Sequence, residues 1–270
     1  MTSTYSPKPV ILITGASSGI GEATAQRFAR GGYRLVLAAR RENRLKSLAE
    51  LIQSEGGEAL PITTDMAEID NLNRLVNTTI HHYGQVDVLF NNAGFGRLNW
   101  LDQLDPHADI ALQTQVNLIG LIQLTRLVLP YMINRQSGHV INMASLASWI
   151  PTPTYSVYAA TKFGVRGFST ALRREVGLYG IKVSVMYPGG VETEFKEVAG
   201  IQRKTGLTTP GWLRLTADQV AEAVWRVAQH PRRAVVQPWL YWLPIWLDTL
   251  FPGLVDRVIM RRFTRLERLE

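Results

Sequence analysis

Cysteine is absent from the 270 residues, which excludes disulfides, cysteine-ligated zinc and a thiol nucleophile. A chain without thiols fits a reducing compartment, so a cytoplasmic protein is the expectation. The five histidines show no metal-ligand spacing, and no metal site is expected. Long uninterrupted apolar runs are also missing. The most apolar stretch, Pro238 to Leu254, is broken by Pro244, Asp248 and Pro252, short of the roughly 20 residues a spanning helix needs. Met1 to Pro9 lacks the apolar core of a signal peptide and reads as a short arm. Lysines and arginines nowhere interleave with aromatics in a compact run, so the net charge of +7 and pI of about 9.8 carry no nucleic-acid signal. The positive residues are scattered until the tail, where Arg257, Arg261, Arg262, Arg265 and Arg268 cluster. There is no internal repeat and no low-complexity linker. With 46% hydrophobic residues, the chain can bury a sizeable core. One domain over 1–237 with an extension over 238–270 is expected.

What is present is an alternation. Val10–Ile13, Arg34–Ala38, Ala59–Thr63, Val86–Phe90, His139–Met143 and Lys182–Tyr187 read as short strands, several apolar on both faces. Helical periodicity fills Gly21–Arg30, Arg41–Ser54, Ile69–His82, Leu118–Asn134 and Tyr155–Tyr179, followed by a helix at Ala217–Ala228 and an edge strand at Ala234–Gln237. Parallel strands need such crossovers, so the predicted fold is α/β, a doubly wound Rossmann-type domain with a mostly parallel sheet and a C-terminal helical extension. Ligands in such sheets bind beyond the carboxyl ends of the strands.

The first strand runs into Thr14-Gly15-Ala16-Ser17-Ser18-Gly19-Ile20-Gly21 and then a helix. Glycines there permit a tight turn and close approach of a pyrophosphate, and the helix N-terminus offers free N–H groups. The second strand ends Ala38-Ala39-Arg40-Arg41. No acid stands where a ribose 2′-hydroxyl would be held, whereas an arginine fork can pair with a 2′-phosphate. Arg40, helped by Arg41, is the expected phosphate ligand, and NADP(H) the expected cofactor.

Tyr158-Ala159-Ala160-Thr161-Lys162 places Tyr158 and Lys162 at i and i+4, on one helix face. A free tyrosine has a pKa near 10 and shuttles protons poorly at neutral pH. A cation at its side is expected to hold it well below that value, a charge stabilisation of about 3–4 kcal/mol. Ser145 follows a strand thirteen positions earlier. Together with Asn91-Asn92-Ala93-Gly94 and the glycine turn, these residues make the chain resemble a short-chain dehydrogenase/reductase of about 250 residues, closely from Lys8 to Thr193. The resemblance implies interconversion of a carbonyl and an alcohol by hydride transfer. Tyr158 would then be the general acid/base, Ser145 a hydrogen-bond donor to the substrate oxygen, Lys162 also a ligand of the nicotinamide ribose, and Asn117 the anchor of a proton relay. It further implies cofactor contacts from Gly15, Ser17, Ser18, Gly19, Ile20 and Gly21, and from Asp65 near the adenine. Asn91 would brace the sheet, while Ala93 and Gly94 let the cofactor lie close. Pro188, Gly189, Val191 and Thr193 would meet its carboxamide and diphosphate.

Phe95, Leu146, Trp149, Tyr155, Phe195 and Trp212 are expected to wall a lipophilic substrate pocket, partly on the loop from Glu194 to Trp212. The aromatic and basic tail resembles extensions of hydroxysteroid-type relatives. It suits a homodimer or homotetramer interface, a peripheral membrane contact, or a cap on its own core. A fatty-acid-type 3-oxoacyl-thioester reductase, and a non-catalytic cofactor sensor or scaffold, are the alternative functions.

Overall fold

The computed structural model describes residues 8–195, 199–200 and 209–268, the side chain of Leu266 excepted. The arm 1–7, positions 196–198 and 201–208 of the expected pocket loop, and 269–270 lie outside the described residues. Nine strands alternate with helices among these residues. In chain order they begin with β1 (Val10–Thr14), α1 (Gly19–Arg30), β2 (Arg34–Ala39), α2 (Glu42–Ser54), β3 (Glu58–Thr63), α3 (Ile69–Tyr83) and β4 (Val88–Asn91). Val10 to Ile13 have no exposed surface, as a strand covered by helices on both faces requires.

A helical run from Pro106 to Arg135 follows. It includes α4 (Leu112–Thr114) and α5 (Gly120–Arg135), with wide i→i+5 turns at Pro106–Ala111 and Gln115–Ile119. Asp105 caps the run, accepting from the His107 and Ala108 N–H groups. By length and mean hydropathy (1.5) this run could cross a membrane. Leu121, Leu124, Val128 and Met132 are nevertheless buried within the fold.

The chain continues through β5 (Gly138–Met143), α6 (Ser156–Val176), β6 (Ile181–Pro188), β7 (Val191–Glu192), β8 (Leu215–Thr216), α7 (Ala217–Gln229) and β9 (Ala234–Gln237). The main sheet has seven parallel strands in the order β3-β2-β1-β4-β5-β6-β9, and Leu12 stands level with Val36 on one side and Leu89 on the other. The winding reverses between β1 and β4, and the crevice beyond Thr14 and Asn91 is where this topology seats ligands. Phe28, Leu45, Ile52 and Val224 pack one face through α1, α2 and α7; Leu72, Val128 and Leu172 pack the other through α3, α5 and α6. The doubly wound α/β reading is therefore observed, including the late edge strand β9.

The tail forms a 3-10 turn, Trp239–Tyr241, then α8 (Trp242–Leu250), α9 (Pro252–Ile259), a wide turn at Met260–Thr264 and α10 (Arg265–Arg268). Ile245 and Phe263 are buried. Arg268 pairs with Asp102 at 2.7 Å and lies over the Trp100 ring. The outer side of the tail stays exposed, with Trp239 at 74%, Leu243 at 68% and Met260 at 63%.

Candidate active site

The crevice is organised around Thr14. Its hydroxyl accepts from the Asn92 and Ala93 N–H groups, each at 3.0 Å. The Asn92 amide donates back to Thr14 O at 3.0 Å. The glycine turn is thereby fixed to the end of β4. Gly15 has φ +67°, a left-handed conformation that favours glycine. Gly21 serves space instead, since a Cβ there would lie 2.2 Å from Gly15 O. Gly19 abuts Thr193. Ser18 is the N-cap residue of α1 but makes no capping bond, so the first N–H groups of that helix lack a side-chain partner. Ile20 and Val191 turn into the apolar cluster under α1 and α7.

Beyond β2, Arg41 rather than Arg40 reaches the turn. Its guanidinium donates to Ser17 Oγ at 3.1 Å and to Ser18 Oγ at 2.5 Å. Arg40 is exposed and makes no side-chain bond among the described residues. A third arginine, Arg44, one turn into α2, joins Arg41 on the Glu194 carboxylate, at 2.6 and 2.8 Å. The two guanidiniums hold that carboxyl at about 2. Asp65 accepts from the Ala67 N–H at 2.9 Å in a local turn; Glu68 holds the N-cap position of α3, without a side-chain capping bond.

The expected catalytic residues come together where β5, α6 and the β4 exit meet. Tyr158 and Lys162 share the buried face of α6. Ser145, at the exit of β5, hydrogen-bonds the Tyr158 side chain, and its Oγ also accepts from Ala147 N at 3.2 Å. Lys162 Nζ donates to Met143 O at 3.0 Å and stands 5.7 Å from the Tyr158 ring centroid. A Cβ on Gly94 would come within 3.5 Å of that ammonium and 3.0 Å of Asn117 Oδ1. Asn117 lies in the second wide turn. It clasps the Phe95 backbone twice, accepting from Phe95 N at 2.9 Å and donating to Phe95 O at 2.7 Å. Asn91 donates to Thr125 Oγ1 and Asn142 Oδ1, tying the sheet to α5.

One electrostatic expectation is corrected. The Tyr158 phenol is pushed up, not down, because burial outweighs the Ser145 hydrogen bond. Lys162 is pushed down to about 8 by the same burial. At 5.7 Å from the ring centroid, its charge is no counterweight to the loss of water around the phenol.

The expected pocket residues separate. Tyr155 and Phe195 pack on Tyr158, with ring centroids at 6.0 and 5.5 Å. Leu98, Ala147, Ala159 and Ala199 complete that cluster. Leu146 and Trp149 instead join Tyr187, Tyr241 and Trp242 of a neighbouring cluster. The Phe95 ring joins the core under α3 and α5, because Asn117 fixes its backbone. Trp212 is 77% exposed. Pro188 ends β6 beside Gln237, and Gly189 admits the Tyr241 ring, which a Cβ would meet at 2.8 Å. Thr14, Asn92 and Glu194 stood in the quoted segments without an assigned role, and Leu98 and Arg44 were not among the expected site residues. Asn92 stood inside a recognised motif, whereas the 150 positions between Arg44 and Glu194 leave no local signal of their pairing.

The site fits a dinucleotide on its own geometry. It has a glycine-lined floor and an uncapped helix start. Its buried lysine uses one of three N–H donors on Met143 among the described residues, and basic residues converge beyond β2. Fold and crevice together define a nucleotide-binding oxidoreductase of the Rossmann type. The sequence profile of the short chain dehydrogenase family matches residues 9–204, and the chain belongs to that family. An uncharacterised oxidoreductase of Staphylococcus saprophyticus is 33% identical over 86% of this chain and 94% of its own. The 11-beta-hydroxysteroid dehydrogenase A of Sesamum indicum is 30% identical over 92% of this chain and 74% of its own. A short-chain dehydrogenase from Sphingobium yanoikuyae, solved with NADPH, superposes with a TM-score of 0.78 at 30% identity, covering 92% of this chain and 95% of its own. A member from Burkholderia phymatum, solved with NAD, gives a TM-score of 0.82 at 25% identity with the same coverages.

Proposed function

We propose that this oxidoreductase uses NADP(H) to interconvert a carbonyl and a secondary alcohol on a small, lipophilic substrate. The observation that carries the reading is the buried Tyr158 and Lys162 of α6, with the half-buried Ser145 on the Tyr158 side chain and the Lys162 ammonium beside Gly94, together with Arg41 seated on Ser17 and Ser18 and no acid at the end of β2. Bound at the crevice, the nicotinamide supplies the hydride chemistry. Tyr158 gives its proton to the substrate oxygen in reduction and takes it back in oxidation. Ser145, already on the phenol, donates a hydrogen bond to the same oxygen. Lys162 holds positive charge beside the proton path and offers N–H groups to the cofactor ribose. Asn117 fixes the Phe95 backbone and so the strand exit against which the cofactor lies. Leu98, Ala147, Tyr155 and Phe195 form an apolar surround of Tyr158, which supports a lipophilic carbonyl. Arg40, Arg41 and Asp65 are assigned to the adenosine half, and Pro188, Gly189, Val191 and Thr193 to the nicotinamide half. The proposed arrangement is a cytoplasmic homodimer or homotetramer in which 1–237 is catalytic and 238–270 lies at a subunit or membrane surface.

A turnover screen of ketones, aldehydes and acyl thioesters with NADPH and with NADH, followed by absorbance, tests the reading. Ketone or aldehyde turnover with a higher kcat/KM for NADPH is the expected result. Equal kcat/KM for the two cofactors removes the NADP(H) assignment, and turnover of thioesters alone replaces the substrate class.

A further inference from the structure

Glu194 is the one acid among the described residues that joins the arginines beyond β2. Its two carboxylate oxygens take separate guanidiniums, Arg41 and Arg44, while Arg41 simultaneously holds Ser17 and Ser18 of the glycine turn. An anionic group with oxygens on two arginine forks, next to the serines of a phosphate-binding turn, has the donors and the charge that a phosphate monoester seeks. The next residue, Phe195, packs its ring on Tyr158 at 5.5 Å and against Gly96. The preceding residue, Thr193, abuts Gly19. Three consecutive residues therefore touch the helix start, the basic pair and the ring of the proposed general acid.

We propose that Glu194 is an internal stand-in for the 2′-phosphate of NADP(H), displaced from Arg41 and Arg44 when that phosphate arrives, and that it thereby sets how strongly the protein prefers the phosphorylated cofactor. This rests on the NADP(H) reading. The pairs are about half exposed, 42% at the Glu194 side chain and 43% and 51% at the arginines, where ion pairs are weak and exchangeable. A phosphate carrying about −1.5 to −2 charges outcompetes a carboxylate carrying one. Arg44 becomes a further specificity-determining residue.

Glu194→Gln, of nearly the same shape but without the charge, separates the outcomes. Dissociation constants for NADP+, NAD+, 2′,5′-ADP and 5′-AMP are measured by calorimetry at one ionic strength. The variant is expected to bind NADP+ and 2′,5′-ADP about 3- to 10-fold more tightly, with NAD+ and 5′-AMP changed less than about 2-fold. A general gain of positive charge would tighten all four ligands alike and overturns the proposal. So does unchanged or weakened NADP+ binding in a variant that keeps the wild-type Tm. Arg44→Ala must in turn weaken 2′,5′-ADP while sparing 5′-AMP; equal effects on the two also overturn it. Absence of any NADP+ preference in the wild type removes the cofactor reading itself, a result distinct from a preference that Glu194→Gln fails to raise.

Discussion

Replacing Gly21 by alanine adds one methyl group at the tightest point of the cofactor crevice. The new Cβ would lie 2.2 Å from Gly15 O, 2.8 Å from Gly15 C and 2.9 Å from Asn92 Nδ2. Ordinary carbon contacts stand about 3.5–4.0 Å apart, so the helix start and the turn must separate by about 1 Å. The atoms in the way are mainly backbone, held by Thr14 and Asn92 on both sides, and no side chain can swing aside. Overpacking of this kind costs about 1–3 kcal/mol, a fall in Tm of about 2–10 °C for a chain of this size. The displaced surfaces are the turn and helix start proposed to hold the pyrophosphate, so cofactor affinity should drop about 10-fold or more, equivalent to at least about 1.4 kcal/mol. Thermal melts and calorimetric titration with NADPH measure both effects. Gly177→Ala is the control, because that glycine has helical angles and nothing within 4 Å of an added Cβ; it should leave both values unchanged or raise Tm slightly. Gly21→Ala protein that binds NADPH within about 2-fold of wild type would refute the steric argument.

Tyr158→Phe keeps the ring contacts with Tyr155 and Phe195 and should lower kcat about 10²-fold or more while cofactor affinity survives; near-normal kcat would remove Tyr158 as the proton donor. His139, held at about 4 by burial and then by Lys182, takes its proton in the unfolded chain near 6.5 but in the folded protein only near 4. Stability is thus complete above pH 6.5 and is lost by up to about 3 kcal/mol as pH falls toward 4. His139→Gln should flatten the decline in Tm between pH 7 and pH 5, and an equal decline in both proteins would contradict this origin. Lys162, charged below about 8, should give kcat/KM for reduction a falling limb above pH 8, visible in a pH profile; a flat profile to pH 9.5 would place its charge outside the reaction. The exposed tail residues Trp239, Leu243, Trp246 and Leu250 should be covered in solution. Light scattering and flotation with anionic vesicles would show it, and a monomer that ignores vesicles would show that the tail serves its own core alone.

The sheet and the shared face of Tyr158 and Lys162 were legible because their signals are local. Val10–Ile13 is apolar at every position, as burial on both faces demands, and Tyr158 and Lys162 are one helical turn apart. The helical run from Pro106 was shortened to Leu118–Asn134 because the wide turns at Pro106–Ala111 and Gln115–Ile119 break the 3.6-residue period on which such a reading depends. That same irregularity accompanies the double clasp of Asn117 on Phe95, which turned Phe95 into the core against expectation. Leu146 and Trp149 were aromatic and apolar beside Ser145, but periodicity cannot say that Tyr241 and Trp242 will come back to cover them. Arg41 and Arg40 are neighbours whose difference is set by where β2 ends and α2 begins, a matter of one residue that sequence reading does not settle.

The direction of the two pKa shifts bears on how the buried pair works. In water the tyrosine and lysine values nearly coincide, at about 10 and 10.4. Burial moves them apart, the phenol upward and the ammonium down to about 8. The proton therefore sits firmly on Tyr158 at neutral pH, the form that a general acid needs in carbonyl reduction, while Lys162 still carries its charge. Holding a buried ammonium opposes folding below pH 8, and this penalty is relieved as pH rises from about 8 toward 10.4, where the unfolded chain retains the proton longer than the folded one. That penalty has no packing benefit: a leucine would fill the same space on α6 without it. In the proposed reaction, what a leucine could not provide is positive charge near Tyr158 at the moment the phenol gives up its proton to the substrate oxygen. Developing negative charge on the phenol is stabilised most where water is excluded, so in the proposed reaction the same burial that raises the resting value of Tyr158 strengthens the help it would receive from Lys162 once transfer begins.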